Sequence, residues 1–563
     1  MASLQKYTSK NKTYWRLVES KRINGKPKLF VIAHLGTADK LYQRLTQAHD
    51  KPLKSRVFSF GGVAALLQMA QELNLVEIID RHASKRVQGF SVGTYLLLAA
   101  INRCLAPCSK NQITSWYQKT SLPRLLKIPP GALSSQRFWD HMEYVDHDAI
   151  LRIEEDLVRR LVEHFQMDLS TLAFDCTNFD TFIDTATPSE LAQRGHAKSK
   201  RTDLRVVGLA LLVTQEFHIP LFSEVYPGNR HDAKSFASAL GVLAKRMALF
   251  ERHCHSITLV FDKGNNSATN QEILDQTSYH FVGSLTPTQY PELLKVSLKQ
   301  FSDLEPRFEG TKVFRTRCEV FGALRTILIT WSPTLFTKQV RGIEQELTKR
   351  RRKLCDLTVK LRRSQQPGAR GKGYTEASLH KQVSAILNGQ HMKQLLEVTI
   401  TKKKGRLEMT YQTRRQIYQQ LKKVVLGKRI LFTDQETWSA EAIVDAYRGQ
   451  SHVENAFRRM KNPFFVGWSP QWHWTDSKIR VHALYCLLAL TLCSLLQRKL
   501  HQGQIKISID SMLRELNNIS EVQNFYLTDK TGRPRSTTTL TELNDVQKKI
   551  YQCLELQTLH PLI

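Results

Sequence analysis

The stretch TLAFDCTNFD, residues 171–180, is the first of five short apolar runs rich in strand-forming residues. The runs are, in chain order, TLAFDCTNFD (171–180), LRVVGLALLVT (204–214), IPLFSEVYPG (219–228), SITLVFDKG (256–264) and YHFVGSL (279–285). Only the polar QEFH separates the second run from the third, which suits a hairpin, and residues 232–250 and 268–276 have helical patterns. The region therefore predicts three strands in hairpin order, followed by helix, strand, helix and strand.

This is the element order of a ribonuclease-H-like α/β domain, which we predict for residues 167–285. Residues 286–428 then interrupt the pattern with strand-like pieces and a long basic helix from about 337 to 363. The apolar residues of that helix repeat at four- and three-residue steps, which suggests a coiled-coil-like seam. The core resumes over residues 429–500. The predicted fold class is therefore α/β, with a ribonuclease-H-like catalytic core interrupted by a large insertion.

Three further segments flank this core. Residues 1–50 are predicted to form a β-hairpin arm, because Asn24 and Gly25 separate two strand-like runs and Asn-Gly is a strong hairpin signal. Residues 51–166 have helical periodicity with basic residues on the predicted helices, which indicates a helical DNA-binding region without a clear helix-turn-helix register. Residues 501–563 are predicted to form a helical C-terminal tail.

The charge of the chain narrows its partners. It has 82 lysines and arginines against 51 acidic residues, a formal net charge of +31. Such an excess favours a polyanionic partner, most simply double-stranded DNA, while ribosome association and an acidic membrane surface are the alternatives. The longest apolar run, residues 483–496, is shorter than the ~20 residues that a membrane span needs, so we predict a buried core helix.

The compartment is predicted from the N-terminus and the cysteines. The first residues, MASLQKYTSKNKTYW, lack the apolar core of a signal peptide. The nine cysteines have no partners at zinc-site spacing and are interpreted as reduced thiols. We therefore expect a cytoplasmic protein.

Three carboxylates are candidate metal ligands. Asp175 and Asp262 each close an apolar strand, although an aspartate there is also a common turn residue or helix cap. Glu454 lies in a predicted helix, residues 438–461, whose periodicity puts Tyr447, Gln450, Glu454 and Lys461 on one face. Two Mg²⁺ ions would relieve the repulsion between converging carboxylates and support phosphodiester transfer. No Walker-type glycine-rich loop is present, which argues against NTP hydrolysis.

The motifs resemble a known family. The spacing Tyr447-x2-Gln450-x3-Glu454-x6-Lys461 resembles the Y-x2-R-x3-E-x6-K signature of DDE transposases from bacterial insertion sequences. FDCTNF around Asp175 and VFDKGNNS around Asp262 are similar to the segments of that family's first and second aspartates. The resemblance covers about residues 170–285 and 428–500.

The resemblance implies a transposase that binds terminal inverted repeats, pairs two ends as a homodimer, cuts with two Mg²⁺ ions and joins the 3′-hydroxyls to target DNA. Mn²⁺ is the expected substitute for Mg²⁺. Asp175, Asp262 and Glu454 would be the catalytic metal ligands, and Tyr447, Gln450 and Lys461 would contact DNA. The chain departs from the signature at Gln450, because glutamine lacks the charge and the bidentate fork of arginine.

Five further residues are candidate DNA contacts: His196, Lys198, Arg201, Arg458 and Trp438. The first three belong to a basic turn that could equally be only solvated, and Trp438 could stack on an unpaired base or pack in the core. Two other functions stay open, a catalytically silent DNA-binding protein derived from a transposase and a nuclease that cuts without joining.

Overall fold

The computed structural model describes residues 2–10, 12–23, 26–49, 52–85, 88–251, 254, 256–369, 373–403, 405–526 and 535–560. The chain forms two compact units. One comprises Met1–Ile153, Arg459–Pro470 and Arg480–Ile563, and the other comprises Glu154–Arg458 and Gln471–Ile479. We call them the flanking unit and the sheet unit.

The described residues form the following strands: β1 (Ala2–Ser9), β2 (Lys12–Ile23), β3 (Lys26–Gly36), β4 (Lys54–Ser59), β5 (Thr171–Thr181), β6 (Arg205–Thr214), β7 (Pro220–Pro227), β8 (Thr258–Phe261), β9 (His280–Leu285), β10 (Ser302–Asp303), β11 (Lys312–Val320), β12 (Ala323–Trp331), β13 (Leu396–Lys403), β14 (Arg406–Thr413), β15 (Lys428–Thr433), β16 (Ser520–Tyr526) and β17 (Arg535–Leu540).

The helices are α1 (Ala38–His49), α2 (Gly61–Glu72), α3 (Leu75–His82), α4 (Val92–Leu105), α5 (Lys110–Gln118), α6 (Leu122–Leu126), α7 (Ser135–Glu143), α8 (His147–Glu163), α9 (Asp232–Glu251), α10 (Ala268–Asp275), α11 (Pro291–Leu294), α12 (Pro333–Ser364), α13 (Glu376–Ile386), α14 (Met392–Leu395), α15 (Arg415–Val424), α16 (Ala440–Arg448), α17 (Gln450–Met460), α18 (Asp476–Gln502), α19 (Ile509–Asn517) and α20 (Asp545–Cys553). Short 3-10 helices cover Pro130–Ala132, Lys263–Asn265, Leu298–Gln300, Pro306–Phe308 and Leu556–Leu559.

A nine-stranded mixed sheet organises the sheet unit, and it confirms the predicted α/β class. Its order is β10-β11-β12-β15-β9-β8-β5-β6-β7. Strands β5, β6 and β7 are antiparallel neighbours, whereas β8 lies parallel to both β5 and β9. The central strands are buried along almost their whole length, as expected for apolar runs covered on both faces.

The insertion joins this sheet and then leaves it. Strands β10 to β12 extend the sheet beyond β15. The long helix α12 buries its leucines in a separate apolar cluster with α13, β14 and α15, here called the insertion core. The insertion core consists of Leu347, Leu354, Leu357, Leu361, Leu379, Val383, Leu387, Met392, Leu395, Leu396, Met409, Leu421 and Leu426. The predicted seam of α12 is therefore covered by the insertion's own segments.

The flanking unit contains two small sheets. The predicted hairpin is formed by β2 and β3, and β1 adds a third antiparallel strand; Asn24 and Gly25 lie outside the described residues. The second sheet has the order β17-β16-β4. The prediction that residues 501–563 are helical is wrong for β16 and β17, because β16 gains its ladder from the distant β4, with Val522 opposite Val57.

Helix α18 contains the long apolar run. Among the described residues it is the one single helix long and apolar enough to cross a membrane by length and composition, and α2 with α3 would be a second candidate if the bent pair formed one span. The most apolar window of α18 is 94% buried inside the protein. A core helix passes the same test of length and composition, and burial is the property predicted for this run.

The prediction of one continuous helix over residues 438–461 is wrong. Helix α16 ends at Arg448, α17 begins at Gln450, and Lys461 lies beyond the helix end at Met460. At the junction, the backbone N–H of Gly449 bonds the carbonyls of Asp445 and Ala446, and its own carbonyl accepts from His452 three residues on. Glycine is a weak helix former, which explains the interruption here.

Candidate active site

The pairing of two parallel strands sets two of the predicted carboxylates side by side. In the β5–β8 ladder Phe174 is opposite Phe261. Asp175 directly follows Phe174, and Asp262 directly follows Phe261. Asp262 keeps an extended backbone after β8 ends. Neighbouring strands lie about 4.8 Å apart, and paired positions of parallel strands direct their side chains to the same face. The register therefore places Asp175 and Asp262 at adjacent backbone positions of neighbouring chain segments.

Asp262 is held by two hydroxyl groups. Ser284 Oγ on β9 donates to Asp262 Oδ1 at 2.7 Å, and Tyr447 Oη on α16 donates to the same oxygen at 3.1 Å. Burial alone would raise the pKa of Asp262, but the hydrogen bonds from Ser284, the Lys263 backbone and Tyr447 outweigh it and lower the pKa below the ordinary value. The carboxylate is therefore ionised at neutral pH.

Tyr447 is buried beside that carboxylate. Burial, followed by the negative charge of Asp262, raises the pKa of Tyr447 to about 12, so the phenol keeps its proton and remains a donor. The guanidinium of Arg429 lies over the tyrosine ring, 5.1 Å from its centroid. Tyr447 thus joins a carboxylate at its hydroxyl to a cation at its ring face, and the DNA contact predicted for it stays a prediction.

Gln450 ties the next helix to the strand that carries Asp175. Its Nε2 donates to the carbonyl of Phe174 at 3.0 Å, and its Oε1 is buried without a hydrogen-bond partner among the described residues. Phe174 directly precedes Asp175. The amide therefore fixes the start of α17 against β5, and the predicted DNA contact of Gln450 is again untested.

Glu454 follows Gln450 by one helical turn and is exposed. It shares with Asp262 a cavity of about 630 Å³, here called the carboxylate cavity. Other residues lining it are Lys263, Ser284, Glu309, Lys428, Arg429, Tyr447, Arg448 and Gln450. Lys461 belongs to the flanking unit. The DNA contact predicted for it stays a prediction.

A metal site would need several acidic, histidine or cysteine side chains close together. Within the described part of the chain, no three such side chains are already close enough to hold an ion. Ionised carboxylates repel one another until a cation lies between them. The donors of the carboxylate cavity are nevertheless oxygens, the atoms that Mg²⁺ prefers, and the buried Oε1 of Gln450 lacks a partner in the same cavity.

The predicted basic turn is tied to β5. Asn178 on β5 donates to the carbonyl of His196 at 2.8 Å and accepts from the Lys198 backbone at 3.0 Å. The Lys198 ammonium binds the carbonyl of Cys176, and the exposed Arg201 forms an ion pair with Asp203. These protein contacts position the turn, and the DNA contacts of its residues remain predictions.

Arg458 and Trp438 have different surroundings. Arg458 is exposed on α17. Trp438 is half-buried and packs, together with Ala440, against the apolar cluster that includes Val260, Leu431 and Tyr447. Core packing, one of the two predicted roles of Trp438, is therefore observed, whereas base stacking and the DNA contact of Arg458 stay predictions.

Sequence reasoning missed Ser284, Arg429 and Asn178. The only signal for Ser284 is a hydroxyl inside the otherwise apolar run YHFVGSL. Nothing in the spacing connects it to Asp262, because the contact depends on β8 and β9 being neighbours.

One family model matches the N-terminal part of the chain. Residues 4–56 match the family model described as "IS1634 family transposase, N-terminal domain". This match supports an insertion-sequence transposase. The matched segment covers β1 from Leu4 onward, together with β2, β3 and α1. None of the curated proteins compared with the chain matches it.

Among solved structures, the chain is similar to a cryo-EM structure of a piggyBac transposase synaptic complex with hairpin DNA. The identity is 9% and the TM-score 0.39, with 81% of this chain and 79% of that chain covered. A similarity at this level does not assign the fold.

Proposed function

We propose that the chain is a DDE-type transposase that binds the terminal inverted repeats of an insertion sequence, cleaves DNA at the element ends and joins the 3′-hydroxyls to target DNA. The observation that carries the proposal is the strand register that sets Asp175 beside Asp262, with Glu454 on a helix whose first residue is bonded to β5. The N-terminal family match supports transposase function independently.

The proposal includes a ribonuclease-H-like core. The order β7-β6-β5-β8-β9, antiparallel on one side of β5 and parallel on the other, supports it. The order of these strands and helices along the chain is the one predicted from the sequence: three strands in hairpin order, then helix, strand, helix and strand. The core would then be a mixed sheet that presents two aspartates at adjacent strand positions.

Asp175, Asp262 and Glu454 would hold Mg²⁺, with Mn²⁺ as the substitute. When bound, two such ions activate an attacking water or 3′-hydroxyl and stabilise the leaving oxygen. Ser284 and Tyr447 keep Asp262 ionised and oriented. Gln450 contributes by holding α17 in place, which is a different task from the charged contact of the signature arginine.

The cations of the carboxylate cavity would bind the substrate. Lys263, Arg429 and Arg448 line it together with the acids. A phosphodiester is anionic and is repelled by carboxylates, so neighbouring cations favour its approach. In a homodimer, two copies would hold the two element ends during joining.

The test uses DNA carrying the inverted repeats that flank the gene, incubated with the purified protein and Mg²⁺. We expect cleavage at the repeat ends and joining to a target plasmid. Glu454→Gln should lower cleavage on the order of a thousandfold or more, because a catalytic metal contributes several kcal/mol. The control Glu292→Gln, an exposed acid on α11 outside the carboxylate cavity, should cleave like the wild type.

Each other outcome selects another function. Binding to the ends without cleavage in Mg²⁺ or Mn²⁺ would indicate a silent DNA-binding protein. Cleavage without joined products would indicate a nuclease. Wild-type cleavage by Glu454→Gln would remove Glu454 from the site.

A further inference from the structure

A second cavity adjoins the carboxylate cavity. It has a volume of about 330 Å³ and shares five lining residues with the larger one: Glu309, Leu335, Arg429, Tyr447 and Arg448. Its polar lining consists of one acid, Glu309, and otherwise of cations and hydroxyls: Lys338, Arg429, Arg448, Thr311, Thr330, Ser332, Thr334 and Tyr447. We call it the side cavity. Cations and hydroxyls are groups that proteins use to bind phosphate.

The three cations are not neutralised by the protein. Across the described part of the chain, none of Lys338, Arg429 and Arg448 has a carboxylate within ion-pair distance, and Glu309, which also lines the side cavity, forms no ion pair with them. Arg429 instead lies over Tyr447, and Arg448 lies over Phe308 with 4.7 Å to the ring centroid. Their charge is therefore available to a ligand.

A neighbouring arginine, Arg307, differs from these cations in having acidic partners. Arg307 also lies over the ring of Phe308, but it pairs with Glu305 and with Asp445, at 2.8 Å in each case. Acids are thus near this surface, yet they bind Arg307 and leave Arg448 unpaired.

Regular elements carry the cations into the side cavity. Arg429 is on β15, directly opposite Thr330 on β12, and the adjacent Lys428 is buried with its ammonium bonded to two carbonyls. Arg448 is the last residue of α16, and Lys338 is on the first turns of α12. Positions on strands and helices hold a binding site more rigidly than loops do.

We propose that the side cavity is an anion subsite that binds one backbone phosphate of the DNA strand whose scissile phosphodiester lies in the carboxylate cavity. This inference rests on the proposed function. A nucleic acid strand presents phosphates in succession, so a strand seated in the larger cavity brings another phosphate to the adjoining one. The forked donors of Arg429 and Arg448 match phosphate oxygens, and Tyr447 lies between them and Asp262.

The first measurement is the salt dependence of binding to the element ends, for the wild type and Arg429→Gln/Arg448→Gln. Each phosphate contact that is lost flattens the slope of log K against log salt by about 0.9. We expect the double variant to lose about one unit of slope and Lys338→Gln to lose less. Lys299→Gln, an exposed lysine outside both cavities, should keep the wild-type slope.

The second measurement locates the phosphate. Single neutral methylphosphonates replace successive phosphodiesters around the cleavage position. One of them should weaken wild-type binding about tenfold and have no effect on Arg429→Gln/Arg448→Gln, because the variant has already lost that contact. Both arginines are exposed, so the variant should fold, which circular dichroism checks.

The two proposals fail in different ways. If the wild type binds and cleaves the ends while the double variant keeps the same slope and the same methylphosphonate sensitivities, the anion subsite is excluded and the transposase remains. If the wild type neither binds nor cleaves the ends, both proposals are excluded.

Discussion

Strands β5–β9, here called the half-sheet, differ from the insertion between β9 and β15 in how their charged side chains are held. In the half-sheet the acid Asp262 is half-buried and receives two hydroxyl donors on one oxygen. In the insertion, basic residues such as Lys349, Arg352 and Lys360 of α12 are exposed, on the side away from the leucines. A metal ligand must be oriented, whereas a cation on a flexible stem binds phosphate from many positions.

Only the part of the insertion that leaves the sheet has an apolar interior of its own. The cluster that includes Val260, Leu431 and Tyr447 takes residues from β8, β9, β11, β12, β15 and α16, so the sheet-joining part of the insertion shares it with the half-sheet. The insertion core takes its residues only from positions 347–426, with partly buried neighbours such as Phe336. The comparison therefore predicts that residues 333–426 can be loosened while the half-sheet stays folded.

The largest effect tests that independence. Leu354 is fully buried in the insertion core, and Leu354→Ala should cost about 2–5 kcal/mol of stability there. Hydrogen exchange should accelerate in residues 333–426 and remain slow in β5–β9. The control Val359→Ala, 40% exposed on the same helix, should change stability by less than about 0.5 kcal/mol. Equal loss of protection in both regions would show that they unfold as one cooperative unit and are not independent.

A smaller effect is expected from removing one of the two hydroxyl donors of Asp262. Ser284→Ala removes one hydroxyl donor from Asp262, and a hydrogen bond to a charged group contributes about 1.5–3 kcal/mol. The pKa of Asp262 is lowered by these bonds, so losing one raises it, and the carboxylate is then protonated at a higher pH. The acid limb of the cleavage rate against pH should move upward.

The matched control for Ser284 comes from the insertion. Thr348→Ala removes a hydroxyl that only bonds the carbonyl of Glu344 on the exposed side of α12. Its pH profile should coincide with that of the wild type. A shift as large as that of Ser284→Ala would mean that the hydroxyl donors are not what orients Asp262.

The smallest effect concerns a histidine on α17, the helix that carries Glu454. His452 on α17 lies with Nδ1 3.2 Å from Nδ1 of His218, and burial lowers its pKa against an opposing effect of Glu216. Below the ordinary pKa of 6.5, His452 of the unfolded chain binds a proton that the folded chain resists binding. The free energy of unfolding therefore decreases as the pH is lowered.

The measurement is the thermal midpoint at pH 8 and pH 5.5. His452→Gln should lose less stability than the wild type between the two pH values, because the variant lacks the buried histidine. His380→Gln, exposed on α13 in the insertion, should follow the wild type. Identical losses for His452→Gln and the wild type would exclude His452 as the cause.

Local pattern predicted the strands and the two aspartates, because an apolar run closed by aspartate is visible in the sequence. It could not predict the support of Asp262 and Asp175. Tyr447 and Gln450 reach Asp262 and the Phe174 carbonyl across 185 and 276 positions of chain, and only the folded sheet brings these groups together. The predicted single helix failed at Gly449, where the glycine was a signal that the periodicity of the apolar residues outweighed.

The pairing of Trp331 with Lys428 has a consequence for how such a chain could arise. These residues are opposite each other in the β12–β15 ladder, and the Ser332 N–H bonds the Gly427 carbonyl at 3.0 Å. If residues 333–426 were deleted, Ser332 and Gly427 would become the two central residues of a hairpin turn, and Gly427 already has a φ of +81°. A gene could therefore gain or lose this whole segment at one point without reordering the sheet, and with it would come or go Lys338 of the side cavity.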